Sequence, residues 1–202
     1  MKKFLKKILT VILMITTSTI LILFGLYLWL NQRIDNVVDK ATYNSLVEEI
    51  KASENLPDRF YEIYGQVTEF DEMLTTNKFL FYRLVLNKRK PCPCVDASYG
   101  VTHNTVDNLT VGLALDKDVS PKKCLDFYLS KFDFLHHTIG IQNASNFYYQ
   151  KDLEELSDDE MLELSVMTIN PSIYNKIRNP EKLKEKVTEI KTNEKHKRKN
   201  CR

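Results

Sequence analysis

Residues Ile8–Leu30 form a run of 23 residues with no charged side chain, interrupted only by small polar groups at Thr10, Thr16, Thr17, Ser18 and Thr19. At 1.5 Å rise per residue, a helix of this length crosses a hydrocarbon layer of roughly 30 Å with some tilt to spare. Tyr27 and Trp29 stand at its far end, where an aromatic belt would lie. A signal peptide would carry a shorter apolar region and a small-residue cleavage site. Leu28-Trp29-Leu30-Asn31-Gln32-Arg33 offers no such site, and the run has no cysteine to lipidate. The expectation is an uncleaved transmembrane anchor over 8–30. Lys2, Lys3, Lys6 and Lys7 make residues 1–7 a basic stub, which predicts a cytoplasmic N-terminus and an outward-facing remainder.

Charge is distributed unevenly around a formal net value of +2. The four N-terminal lysines and a basic tail over 191–202 leave about seven net negative charges on residues 33–190. That balance excludes a nucleic-acid footprint spread over the domain. The tail is read as a solvated terminus, with contact to anionic lipid or wall polymer as the sharper alternative. Cysteines stand at 92, 94, 124 and 201. Cys92-Pro93-Cys94 lacks the two-residue spacer of a redox CxxC motif, and His103, His136 and His137 form no recognisable ligand set with it. Three readings stay open: a disulfide from this loop to Cys124, a redox or metal role, or free thiols.

With 5 glycines and little period-two alternation, the expected fold is all-α. Ile34, Val37, Val38, Ala41, Leu46, Val47 and Ile50 predict a stalk helix within 31–55. A second helix is expected over 72–87 and a third over 105–116. Ser120-Pro121 is an N-cap followed by proline at the first helical position, predicting a helix through Phe134. His136–Gly140 reads as a turn, the two histidines serving a helix end. A short helix follows over 141–149. Ser157 and Glu160 form a capping box for a helix that must stop before Pro171. Asn179-Pro180 repeats the cap-and-proline signal and opens a closing helix to about Lys197. One domain over 56–190 contains these elements.

The stretch Ser157-Asp158-Asp159-Glu160, then Asn170-Pro171-Ser172-Ile173-Tyr174-Asn175 and Arg178-Asn179-Pro180-Glu181, resembles the end of the bacterial peptidoglycan glycosyltransferase domain. This is glycosyltransferase family 51, as in bifunctional penicillin-binding proteins and monofunctional transglycosylases. The likeness continues upstream in register. Ser120 to Ser130 is similar to that family's "SKDxILExYLN", with Asp126 in place of the Glu. Gly140 to Lys151 is similar to "GIxxAAxxYFGK", and Phe60-Tyr61-Glu62-Ile63-Tyr64-Gly65 to the "FYEHxG" half of the first catalytic motif. Leu84-Val85-Leu86-Asn87 echoes the end of "STxTQQLVKN". The resemblance implies a lysozyme-like helical domain that acts in cell-wall assembly at a bacterial inner or plasma membrane, on its periplasmic or extracellular side.

In that family a Glu takes the proton of an acceptor sugar hydroxyl, which then displaces a lipid pyrophosphate. A second carboxylate assists. Carried over position by position, the general base falls on Leu56 and its following Asp on Pro57. The motif's His falls on Ile63, the second Glu on Asn108, the Gln pair on Tyr82 and Arg83, and the subsequent Lys on Leu86. Neither leucine nor asparagine can serve as the base. The resemblance therefore implies a catalytically degenerate relative that binds glycan strand, lipid-linked precursor or a wall-synthesis partner. Two alternatives stand beside it. One is an active enzyme whose base has moved to Glu54, Asp58 or Glu62; the other is a pure interaction module. Arg83, Lys122, Tyr148 and Lys151 are candidate binding residues. No cofactor is implied, a divalent metal only if the chain is active. Membrane lipid is the expected partner of the anchor, and nucleic acid is not expected.

Overall fold

The computed structural model describes residues 2–68, 74–88, 90–102 and 104–200. Glu72 and Met73 of the expected second helix, together with His103 and Cys201, lie outside them. Among the described residues, regular structure is helical apart from one isolated bridge pairing Asp133 with Ile139.

Helix α1 (Lys2–Gln32) contains the apolar run, and its side chains from Ile8 to Trp29 are all exposed. It is long and apolar enough to cross a membrane. Its end is fixed to the rest of the protein. Leu30 is buried, the Arg33 guanidinium lies 4.6 Å from the Trp29 ring centroid, and it pairs with Asp107 at 2.8 Å.

The expected single stalk helix is two, α2 (Ile34–Val37) and α3 (Lys40–Ala52). Val38 is extended, and Asp39 caps α3 by accepting the Thr42 backbone N–H at 2.9 Å. A capping side chain restarts a helix more favourably than the helix would run through it. Nor is this segment separate from the domain: Leu46, Val47 and Ile50 are buried in its core.

Phe60, Ile63, Tyr64 and Val67 recur at helical spacing, and the chain forms α4 (Asp58–Thr68) there, an element not anticipated above. Helix α5 (Thr76–Leu84) begins at the Thr75 cap and is shorter than expected. The cysteine loop folds into α6 (Pro93–Ala97) and a 3-10 turn over 98–100. Next come α7 (Thr105–Asp118) and α8 (Pro121–Lys131), capped by Asn104 and Ser120. Helix α8 ends at Lys131, three residues before the expected end, because Phe132 is extended.

Leu135, His136 and His137 all take positive φ, so this turn is a run of left-handed residues. His136 stacks on Phe147 instead of serving a helix end. Gly140 has φ +87°, and a Cβ there would stand 2.6 Å from the Ser130 carbonyl oxygen, so glycine is required. Helices α9 (Ile141–Tyr149) and α10 (Asp158–Met167) follow as expected, the latter with both halves of its capping box formed. Helix α11 (Pro180–Asn200) lays Leu183, Val187 and Ile190 on the core.

Helix α8 faces two cores. Leu125 and Leu129 join Phe60, Ile63, Phe134, Ile141, Leu164, Met167 and the buried stripe of α11. Cys124 and Phe127 join Leu46, Ile50, Cys94, Val111 and Leu115. Cys94 and Cys124 are bonded as a disulfide, which settles the three-way question in favour of the crosslink for this pair. Cys92 is a free, buried thiol, pushed up to about 12 chiefly by burial, the opposite of what a redox-active thiolate needs.

Candidate functional site

The segment preceding α4 is held by a buried carboxylate. Asp126, on the inward face of α8 and 1% exposed, accepts the Tyr61 hydroxyl and, at 3.4 Å, the Leu56 backbone N–H. Tyr61 oxygen also accepts the Leu56 N–H at 3.1 Å. The second oxygen of Asp126 receives no hydrogen bond among the described residues, and the Lys123 ammonium stands 3.8 Å from it. Desolvation raises the Asp126 pKa, partly offset by these donors. This arrangement directs the Leu56 side chain into the first core, where it is 8% exposed.

A cavity of about 340 Å³ opens beside it. Glu54, Asn55, Leu56, Pro57, Asp126, Gln142, Asn143, Asp152 and Glu154 are among its lining residues. Four of these are carboxylates, and among the described residues no Lys, Arg or His belongs to the lining. The surface suits hydroxyl and amide donors and disfavours a phosphate. Among the described residues no three His, Cys, Asp or Glu side chains converge closely enough to hold a metal ion.

Asn108 lies elsewhere, buried on α7. Its side-chain oxygen accepts the Thr102 hydroxyl, and its carbonyl accepts the Ser98 hydroxyl at 3.4 Å. No residue of α7 lines the Leu56 cavity. Of the other acids named from sequence, Glu54 is on that cavity's rim. Asp58 is exposed and paired with Lys122 at 2.8 Å, which holds its carboxyl below the usual range, and Glu62 is exposed on α4. Arg83 is on the exposed end of α5. Lys122 also lies 4.1 Å from the Tyr61 ring centroid. Tyr148 donates to the Phe134 carbonyl at 2.7 Å and accepts from Asn175 at 2.9 Å. Lys151 donates to both Glu160 oxygens at 2.8 and 2.9 Å, holding that carboxyl down at about 2. None of these four candidate binding residues lines the cavities described here.

A residue the sequence did not single out has the strongest proton-transfer character. Asp96 on α6 is pushed up to about 7 by desolvation, offset in part by a hydrogen bond from the Cys92 backbone. It and Tyr128 form the shared wall of two further cavities. One, of about 620 Å³, is lined by Thr42, Ser45, Glu49, Tyr99 and Lys131 with aromatic sides from Phe127 and Phe132. The other, of about 450 Å³, includes Tyr64, Thr68, Lys90 and Thr168. A carboxyl poised near neutrality between two cavities is a functional candidate on physical grounds. One Asp within Cys92-Pro-Cys-Val-Asp-Ala97 gives no such sign in the sequence, because its perturbation comes from burial of α6 against α7 and α8, which are distant in the chain.

Capped helices in this order, with a carboxylate of α8 clamping the start of α4, make a helical, lysozyme-like domain. Residues 100–194 match the family model described as Transglycosylase. A stretch of 76 residues is 36% identical to penicillin-binding protein 1F of Bacillus subtilis (strain 168), covering 38% of this chain and 11% of that relative. Residues 100–194 therefore resemble a transglycosylase domain, and the chain spans only about a tenth of the length of the relative it matches.

Proposed function

We propose that this is a membrane-anchored transglycosylase relative that binds glycan strand, lipid-linked precursor or a wall-synthesis partner without polymerising it. The observation that carries the proposal is the place of Leu56. At the position corresponding to the family's general base stands a hydrocarbon side chain turned into the core, its backbone tied to Asp126. Removing one positioned base typically costs about 10²–10⁴ in rate. The adjoining cavity also lacks the cations that would neutralise a departing pyrophosphate. Its amides and carboxylates remain able to accept sugar hydroxyls.

The length of α1 supports an anchor, and the Cys94–Cys124 disulfide supports an oxidising, outward location for the domain. A second reading, residual polymerisation, has one observation in its favour. Asp126 and Glu54 both line the Leu56 cavity, and the raised pKa of Asp126 is the direction a base needs. Incubating the full chain in lipid vesicles with lipid-linked disaccharide, with binding measured in parallel, tests the two. Saturable binding without polymer is expected. Polymer that disappears in Asp126→Asn or Glu54→Gln overturns the binding-only reading.

A further inference from the structure

The carboxyl of Asp96 lies outside the Leu56 cavity, in the wall of the larger one of about 620 Å³ between α3, α6 and α8. The two cavities have no lining residue in common among the described residues. Helix α8 supplies Phe127, Tyr128 and Lys131 to the larger one, Phe132 follows just beyond the helix end, and Tyr99 adds an exposed ring after α6. The Tyr128 and Phe132 rings meet edge to face, with 5.5 Å between centroids and 68° between planes, so they make a corner rather than a flat wall. Phe127 already has a cation near its ring, the Lys131 ammonium standing 5.7 Å from its centroid.

Charge decides the occupant. Asp96 accepts the Cys92 backbone N–H, and among the described residues no Lys or Arg pairs with it. A desolvated carboxylate without a counter-ion is unfavourable, which is why burial raises its pKa and why a cation brought to it would be held. The titratable groups around it are Glu49 on α3, Tyr64 on α4, Lys90 and Cys92 ahead of Pro93, Tyr99, and Tyr128 and Lys131 on α8. Lys90 donates to the Thr68 carbonyl at 3.3 Å. Two carboxylates, Glu49 and Asp96, thus line the larger cavity against one ammonium, Lys131. Its volume is that of a small-molecule site. Carboxylates set among aromatic rings are the chemistry that recognises an organic cation. We infer that this cavity binds a small organic ammonium ion with an apolar body, its charge paired with Asp96 and its body among Tyr99, Phe127, Tyr128 and Phe132.

The test uses the full chain in nonionic detergent micelles at about pH 8, where Asp96 is ionised, with protein-free micelles as the blank. The probe is phenethylammonium. Titration calorimetry compares it with phenethyl alcohol and hydrocinnamate, which carry the same ring with no charge or with the opposite one. Saturable binding of the ammonium is expected, at least about tenfold tighter than either comparison compound. Asp96→Asn should abolish that preference while circular dichroism stays unchanged. Retention of the preference in a folded Asp96→Asn variant overturns the inference. Should Asp96→Asn lose its helical signal, Tyr99→Ala at its exposed position decides: ammonium binding weakened by about threefold supports the site, and unchanged binding overturns it. Equal binding of the alcohol overturns the inference by showing a plain apolar pocket. Tighter binding of hydrocinnamate overturns it by assigning the cavity to Lys131, and no saturation by the ammonium up to about 10 mM overturns it as well.

Discussion

On one flank of α8, Leu125 and Leu129 close a core made with α4, α9, α10 and α11, in which Phe60, Phe134, Leu164 and Met167 are wholly buried and no covalent crosslink is needed. On the other flank, Cys124 and Phe127 meet α3, the five-residue α6 and α7. Helices that short cannot hold themselves, because most of their backbone groups are end groups. The Cys94–Cys124 bond ties α6 to α8 where packing alone has little area to work with. The first core rests on side-chain burial, the second on burial plus a constraint on the unfolded chain. The same helix serves both, so disturbance of either should be felt in the other.

The largest effect belongs to the first core. Phe60→Ala, at a fully buried position, should cost about 3–5 kcal/mol, read as a lowered urea midpoint at unchanged slope. Replacing Cys94 and Cys124 together by serine should cost about 3–4 kcal/mol, from the loop entropy of a 30-residue separation. Combining Phe60→Ala with the serine pair measures how tightly α8 joins the cores. Losses that add within about 0.5 kcal/mol would break the idea of a shared wall, and a larger deviation would sharpen it.

Asp96 distinguishes the second region by its pH response. Burial pushes its pKa up to about 7 in the folded chain, against about 3.8 for an ordinary aspartate. Between those values the folded chain holds a proton that the unfolded chain has released. Stability should therefore fall as pH rises from about 4 to about 7 and level off above that. Asp96→Asn should flatten the fall, leaving the variant about 2–4 kcal/mol more stable than the parent at pH 8 and little different at pH 4. Thermal melts across that window check it, and an unchanged slope would refute it. The smallest effect is at the first core's surface. Lys151→Met should lower stability by about 1 kcal/mol or less, weakened further by salt, while NMR titration shows the Glu160 carboxyl rising from about 2.

The two regions also differed in legibility. Around the first core, local chemistry announces the structure. Ser120, Ser157 and the prolines at 121 and 180 give α8, α10 and α11, and Gly140 marks the turn before α9. Around the second, the determinants are distant in sequence. Asp39 interrupts what periodicity presents as one stalk, and α6 exists because Cys94, Val95 and Ala97 are buried against α7 and α8. The amphipathic spacing of α4 was readable but was absorbed into a motif. The motif resemblance implies, from the sequence, that the family's two carboxylates would fall on Leu56 and Asn108. That Leu56 turns into the core, that Asn108 is enclosed by Thr102 and Ser98, and that Asp96 sits between cavities depends on contacts no local pattern encodes.

Gly112 has a consequence for how this molecule can vary. A Cβ placed there would come within 2.7 Å of Val95 and 3.0 Å of the Thr76 hydroxyl, so α5, α6 and α7 converge on the space of a single missing methyl group. Any heavier residue must push apart the root of α5 and the arm of the crosslink at once. Drift at this one backbone crossing would be felt by both.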